Sequence, residues 1–147
     1  MTVSIRRAGA DDLDTLAALF DAYRQFYDQR SNVSGARAFL SERLALDESV
    51  LLLAEDEGRA VGFVQLYPLF SSVRMGRVWV LNDLYVAPEA RRSGVARALL
   101  EASTAFARDR GALGLQLETG ADNRQAQALY RDAGWTQDAN LHFHFDF

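Results

Sequence analysis

Leu81-Asn82-Asp83-Leu84-Tyr85-Val86-Ala87-Pro88-Glu89-Ala90-Arg91-Arg92-Ser93-Gly94-Val95-Ala96 passes from an apolar stretch, through a turn marked by Pro88, into a segment of helical period. Upstream, Val78 to Val86 is almost continuously apolar, the pattern of a central strand covered on both faces. Downstream, Val95, Leu99, Ala102 and Phe106 recur at helical spacing between Gly94 and Arg110, and Gly111 stands where a helix stop is expected. The amides of a helix's first turn lack partners, and together with the helix dipole they favour an anion such as a pyrophosphate. Gly94 and Ala96 keep side chains away from that main chain, while Arg91 and Arg92 can add charge-assisted contacts. The alternative is a solvated arginine pair ahead of a helix.

Working outward, Val50 to Ala54 and Ala60 to Tyr67 are apolar, β-branched or aromatic runs separated by the turn formers Asp56, Glu57 and Gly58. They read as a hairpin that Pro68 closes. Before them, Val3 to Arg6 reads as a short strand. Asp11 and Asp12 are suitable caps for a helix whose apolar face is Leu13, Leu16, Ala17, Phe20 and Tyr27. Gly35 breaks the polar stretch Ser31 to Ser34 ahead of a shorter helix through Phe39, Leu40, Arg43 and Leu44. Toward the C-terminus, Leu113 to Thr119 alternates as a strand, Asn123 to Ala133 is helical with Gly134 as its stop, and Leu141 to Phe147 alternates apolar and polar residues. Strands interleaved with helices imply a mixed α/β fold, a mixed sheet covered by helices.

At 147 residues the chain suffices for one domain, residues 1–147, burying roughly two thirds of its unfolded surface. Its net charge is −4 and its basic residues are dispersed, so neither nucleic acid nor a membrane is expected as a partner. A cationic or neutral substrate is weakly favoured. The absence of cysteine excludes a thiolate metal site and a cysteinyl intermediate. No stretch is long and apolar enough to cross a bilayer, and a cytoplasmic protein is the default expectation.

A second segment, Asn123-Arg124-Gln125-Ala126-Gln127-Ala128-Leu129-Tyr130, is followed by Ala133-Gly134-Trp135. Asn123 and Tyr130 lie about two helical turns apart and can share one wall of a cleft. A tyrosine there can stay protonated at neutral pH and serve as a general acid. Read structurally, the same residues are a helix with Leu129 and Tyr130 in the core and Asn123 as its N-cap.

Together the two segments resemble the signatures of the GCN5-related N-acetyltransferases (GNAT), R/Q-x-x-G-x-G/A after a strand and N-x-x-A-x-x-L-Y before a glycine and an aromatic. Ala96 stands for the commoner glycine and Trp135 for the commoner phenylalanine. Tyr23-Arg24-Gln25-Phe26-Tyr27 and Leu81 to Val86 look most like the histone-acetyltransferase-related branch, which includes acetylators of small amines. The resemblance implies a mostly antiparallel central sheet with a splayed strand pair, flanked by helices on both faces, and acetyl-coenzyme A as cosubstrate, with no metal. The main chain of Leu84 and Val86 would meet the pantetheine arm and acetyl carbonyl. The backbone of Arg91, Arg92, Ser93, Gly94, Val95 and Ala96 would hold the pyrophosphate, with Asn123 on the coenzyme and Tyr130 near its sulfur.

Acetyl transfer to a primary amine, on a small molecule, a lysine or an N-terminus, needs an activated carbonyl, a protonated leaving thiolate and removal of the ammonium proton. Tyr130 suits the second task. Asp83 and Glu118 are both candidates for the third, directly or through water, and both can equally be structural carboxylates. In strand alternation Asn82 and Asp83 face opposite sides. The resemblance places an acceptor pocket at Tyr23, Phe26, Tyr27, Gln65, Tyr67 and Asn82, residues that also read as ordinary packing. His142 and His144 share a face of the final strand without a third metal ligand. The family often pairs through its C-terminal strands, which makes a homodimer an expectation. The rival readings are a non-catalytic acetyl-coenzyme A sensor or assembly domain and an interaction domain that binds no coenzyme.

Overall fold

The hairpin expected between Val50 and Tyr67 lies in the middle of the sheet of a computed structural model that describes residues 2–147. Its strands are β2 (Val50–Asp56) and β3 (Arg59–Ser71). The two turn residues, Glu57 and Gly58, both have positive φ, 51° and 80°, a combination whose twist matches that of the flanking strands. β1 (Val3–Arg7) adds antiparallel to β2, and β4 (Gly76–Val86) adds antiparallel to β3. β5 (Gly114–Gln116) is parallel to β4, which completes the order β1-β2-β3-β4-β5. The sheet is therefore mixed and mostly antiparallel, as the resemblance implied.

Helices α1 (Leu13–Phe26) and α2 (Val33–Ala45) cover one face, and α3 (Val95–Asp109) covers the other, with α4 (Arg124–Asp132) beside it. This explains why β2 reads as an unbroken apolar run. Leu51 and Leu53 pack under α1 and α2 with Leu16, Phe20, Leu40 and Phe63, while Leu52 and Ala54 pack under α3 with Leu99 and Leu100. Each fully buried leucine here removes enough apolar surface from water to contribute about 1.5–3 kcal/mol before opposing entropy is counted.

The structure corrects several expectations. β3 does not stop at Pro68 but continues to Ser71, with Pro68 opposite Trp79. β2 ends opposite Leu66, so from Tyr67 onward β3 has a neighbour on one side only, where a missing N–H is tolerated. Gly35 does not precede α2 but sits in its first turn, and its amide donates to the N-cap Asn32 Oδ1 at 3.0 Å. Tyr27 lies just past the end of α1 and is exposed. Strand geometry at 113–119 shrinks to the three residues of β5, and residues 137–147 form no regular element. The final segment that alternates like a strand thus has no strand partner among the described residues.

One buried carboxylate secures the loop that follows α1. Asp21 is only 4% exposed and accepts hydrogen bonds from the Asn32 amide (2.6 Å), the Ser31 hydroxyl (2.7 Å) and Gln25 Nε2 (3.0 Å). It ties the loop between α1 and α2 back onto the helix that carries Tyr23 and Phe26. The Asn32 amide and then the Ser31 hydroxyl hold its carboxyl below the ordinary carboxylate range. A depressed carboxyl stabilises the fold above its unfolded value, about pH 4, and that stabilisation is lost as pH falls through the folded value. Asp21→Asn should therefore cost about 1.5–3 kcal/mol at neutral pH, with the penalty shrinking in acid. Denaturant titrations of both proteins from neutral pH down to the acid limit of folding check this, and a pH-independent difference would contradict it.

Candidate active site

β4 is held by β5 only where Val78, Trp79 and Val80 face Gly114, Leu115 and Gln116. Beyond Val80, residues 81–86 continue with β3 on one side and no strand on the other among the described residues. β5 ends there, which leaves one edge of β4 free of strand pairing. The free stretch begins at a bulge. Leu81 is opposite Leu66 and Asp83 is opposite Gln65, so Asn82 is an extra residue in β4. Leu84 and Val86 both lie on the free stretch, half-buried against the α3 side of the sheet.

Immediately after β4 the chain makes one 3₁₀ turn, Pro88–Ala90, before α3 begins. Backbone bonding through the turn ends with the Arg91 amide on the Pro88 carbonyl (3.4 Å) and resumes with the Ala98 amide on the Gly94 carbonyl (3.0 Å). Between them, the amides of residues 92–97 have no backbone partner among the described residues. Arg92 and Gly94 both take left-handed conformations, φ 64° and 81°. A Cβ on Gly94 would meet nothing within 4 Å, so the glycine is required by its backbone angle rather than by crowding. Arg92, Ser93 and Gly94 are exposed, Ala96 is half-buried, and the buried Val95 side chain anchors the turn to the core. Arg91 folds back: its Nε donates to the Val86 carbonyl at 3.0 Å, and its guanidinium lies 5.6 Å from the Phe26 ring and 5.7 Å from that of Tyr85.

Asn123 caps α4, its Oδ1 accepting from the Ala126 amide at 3.2 Å, so the capping reading of that residue is realised. Tyr130 is half-buried, with its ring 6.3 Å from Trp135. Burial pushes its phenol above the ordinary value, and the nearby Tyr27 phenol adds to the shift.

On the other face of β4 a carboxylate is enclosed. Asp83 is 6% exposed and accepts from Gln65 Nε2 (2.7 Å) and Asn82 Nδ2 (3.1 Å). The bulge lets Asn82 and Asp83 touch, although simple alternation sends them to opposite sides. Burial, and then the charge of Asp83, raises the Tyr23 phenol well above its usual range. Tyr67 is pushed up to about 12 by burial and the same charge. Asp83 has no ion-pair partner among the described residues, and Gln65 Oε1 is buried without a hydrogen bond. Tyr23 stacks edge-on against Tyr27 (5.1 Å), Phe63 (5.8 Å) and Tyr85 (6.1 Å). A carboxylate surrounded by neutral donors and aromatic rings is suited to a cation.

The structure therefore gathers Tyr23, Gln65, Tyr67 and Asn82 around the Asp83 carboxylate, with Tyr27 at the margin. Phe26 is 60% exposed and meets Arg91 rather than the carboxylate cluster. Glu118 is exposed and makes no side-chain hydrogen bond among the described residues. Sequence reasoning missed Phe63 and Tyr85, although period-2 alternation puts them on the same face as Gln65 and Asp83. Among the described residues no group of three or more acidic, histidine or cysteine side chains could hold a metal ion, and no helix is long and apolar enough to cross a membrane.

Comparison with known proteins joins this geometry to a family. The family model described as "Acetyltransferase (GNAT) family" matches residues 16–135. An uncharacterised N-acetyltransferase of Bacillus subtilis, YhfO, is 47% identical over 139 residues, covering 95% of this chain and 93% of the relative. An aminoglycoside N(6')-acetyltransferase type 1 of Klebsiella aerogenes is 34% identical over 105 residues, covering 70% of this chain and 69% of the relative. A crystal structure of a probable acetyltransferase superposes with a TM-score of 0.92 at 42% identity, covering 98% of this chain and 97% of that one. With the family model spanning most of the chain, and close relatives sharing both sequence and fold, the chain belongs to the acetyltransferase (GNAT) family and is an acyltransferase of GNAT type.

Proposed function

We propose that this chain, as one domain over residues 1–147 in the cytoplasm, transfers acetyl from acetyl-coenzyme A to a primary amine of a small molecule, directly within a ternary complex. The observation that carries the reading is the free edge of β4, which leads from a bulge beside Asp83 to a turn of unpartnered amides. The residues fit the cosubstrate that members of this family use. The main chain of Leu84 and Val86 offers strand-like pairing to the amide-bearing arm, and the amides of residues 92–97 offer an anion site for the pyrophosphate. The thioester supplies the acetyl group; the other requirements fall on the protein.

Asp83 and the rings of Tyr23, Tyr27 and Tyr67 bind the acceptor as an ammonium, and Asp83 accepts its proton to release the nucleophilic amine. Its buried position favours it over the exposed Glu118. Tyr130 gives a proton to the departing thiolate, a task supported by a phenol held neutral through burial. Asn123 lines the coenzyme side through the amide nitrogen left free by its cap. The relative that acts on aminoglycosides supports small polyamines and aminosugars as the first acceptors to try. The assembly is taken as a homodimer.

Substitutions at Gly94, Tyr130 and Asp83, with Glu118→Gln as a control, separate these roles. Gly94→Glu should lower acetyl-coenzyme A affinity by at least about 100-fold in isothermal titration, because it adds a carboxylate and strains a φ of 81° at the anion site. Gly94→Ala, carrying the strain alone, should retain measurable binding; equal binding by all three proteins would remove the anion site. Tyr130→Phe should reduce kcat by about 10²–10⁴-fold with little change in coenzyme affinity. The raised phenol also places the alkaline loss of wild-type kcat above about pH 10, so a loss near neutrality would argue against Tyr130 as the acid. Asp83→Asn should cut kcat/KM for the amine by about 10²-fold or more, with partial recovery at high pH where free amine is abundant. Thiol release across pH measures this, and the same loss in Glu118→Gln would transfer the role.

A further inference from the structure

A row of aromatic rings and guanidinia crosses the far end of the α3 face. The Arg77 guanidinium lies 4.4 Å from the Phe70 ring and 5.4 Å from that of Trp79. Trp79 meets Phe106 edge-on at 5.2 Å, and Phe106 in turn carries Arg110 at 3.8 Å and Arg7 at 5.7 Å. Strand alternation places Phe70, Arg77 and Arg7 on the same side of the sheet as Leu66, Trp79 and Ile5, which pack under α3. The row sits toward the C-terminal end of α3, a helix of 15 residues, and so lies about 15–20 Å from the turn of free amides that opens it. Phe70 and Arg77 also stand about 15–20 Å along extended strands from Gln65 and Asp83. The patch therefore lies apart from both halves of the candidate active site.

Arg7, Arg77 and Arg110 form no ion pair and no side-chain hydrogen bond among the described residues, whereas Arg6, Arg37, Arg43 and Arg97 each hold a carboxylate. A guanidinium resting over a ring keeps its N–H donors free, and because the ring already restrains the planar fork, little freedom is lost when it takes a carboxylate. The chain as a whole is acidic, net −4, so this cluster reverses the sign of the charge locally and selects acidic partners. Apolar surface continues the patch. Phe70 is 70% exposed, and Val73 and Met75, in the turn between β3 and β4, are almost fully exposed. A small anion would use the guanidinia alone and leave that apolar surface in water. A nucleic acid would find one exposed ring for stacking and an acidic chain repelling its phosphates beyond the patch.

We propose that this patch docks a segment of a protein partner that is acidic and apolar at once. Its carboxylates meet Arg7, Arg77 and Arg110, and its apolar side chains cover Phe70, Val73 and Met75. The docking surface is independent of acetyl transfer, because none of these residues contributes to the coenzyme turn or to the Asp83 cluster.

Fluorescence anisotropy of a labelled glutamate–tyrosine copolymer, titrated with the full chain, tests this. Binding should saturate and should weaken as salt rises from about 0.05 to about 0.3 M. Arg77→Gln/Arg110→Gln and, separately, Phe70→Ser should each weaken it by at least about 10-fold. Arg30→Gln/Arg59→Gln makes the same change in net charge away from the patch and should stay within about 2-fold of wild type. Circular dichroism identifies a variant that fails to fold, and either patch variant alone then decides the matter. Absence of binding by the wild-type chain, unchanged binding by a folded patch variant, or an equal loss in the control pair would overturn the proposal. So would a labelled oligothymidylate bound as tightly as the copolymer, which would make the patch a nucleic-acid surface instead.

Discussion

Everything distinctive about the site depends on β4 having a partner on one side and then losing the other. Over three residues β5 pairs with it; at Leu81 the pairing ends, and one extra residue, Asn82, shifts the register against β3. A strand in the middle of a sheet normally commits its main-chain donors and acceptors to both neighbours. Here half of that capacity remains on one edge, inside a structure whose two apolar layers keep the strand rigid. The same bulge brings Asn82 Nδ2 to Asp83, so the interruption beside the free edge also organises the carboxylate.

The turn into α3 extends this use of main-chain groups. It has Pro88 at the start of a 3₁₀ turn, left-handed residues at Arg92 and Gly94, and a buried Val95 that pins the first helical turn. The left-handed Arg92 costs about 1–2 kcal/mol that a right-handed conformation would avoid. Such strain persists where surrounding packing over-determines it, and Val95 and Ala90, both buried, provide that packing on either side.

Legibility in the sequence follows the physics of each element. β2, β3, β4, α1 and α3 are readable because their apolar periods are long and both faces of the sheet are filled by the chain itself. The Glu57-Gly58 turn is readable because its residue types tolerate positive φ. Pro68 misleads because the consequence of a proline depends on whether a neighbour needs its N–H, and that is decided by where β2 ends. The C-terminal segment misleads in a different way. Its alternation is real, but strand structure needs a partner, and the segment has none among the described residues. At the site, Asp83 and Tyr130 are legible as residue types, whereas the enclosure of Asp83 by Gln65 and Tyr23 depends on a register that no local pattern specifies.

These contacts divide the labour of the site between backbone and side chains. Main-chain groups along β4 and the α3 turn are the same for almost any sequence that can take their conformation, so the proposed coenzyme side would constrain only a few positions, Gly94 foremost. The proposed acceptor side is different: Tyr23, Gln65, Tyr67 and Asp83 would act through their side chains, and replacing any one changes the shape or charge around the carboxylate. A family built on this plan can therefore keep one cosubstrate and vary its amine. Buried Gln65 holds the key position in that variation, since its Nε2 is committed to Asp83 while its Oε1 has no partner. An unpaired buried acceptor costs about 1–3 kcal/mol, and an incoming ammonium is a donor able to recover it. Under the proposed function, the residue that orients the carboxylate would also offer an acceptor atom to a bound donor, while the charge of Asp83 would favour an ammonium over a neutral alcohol of similar shape.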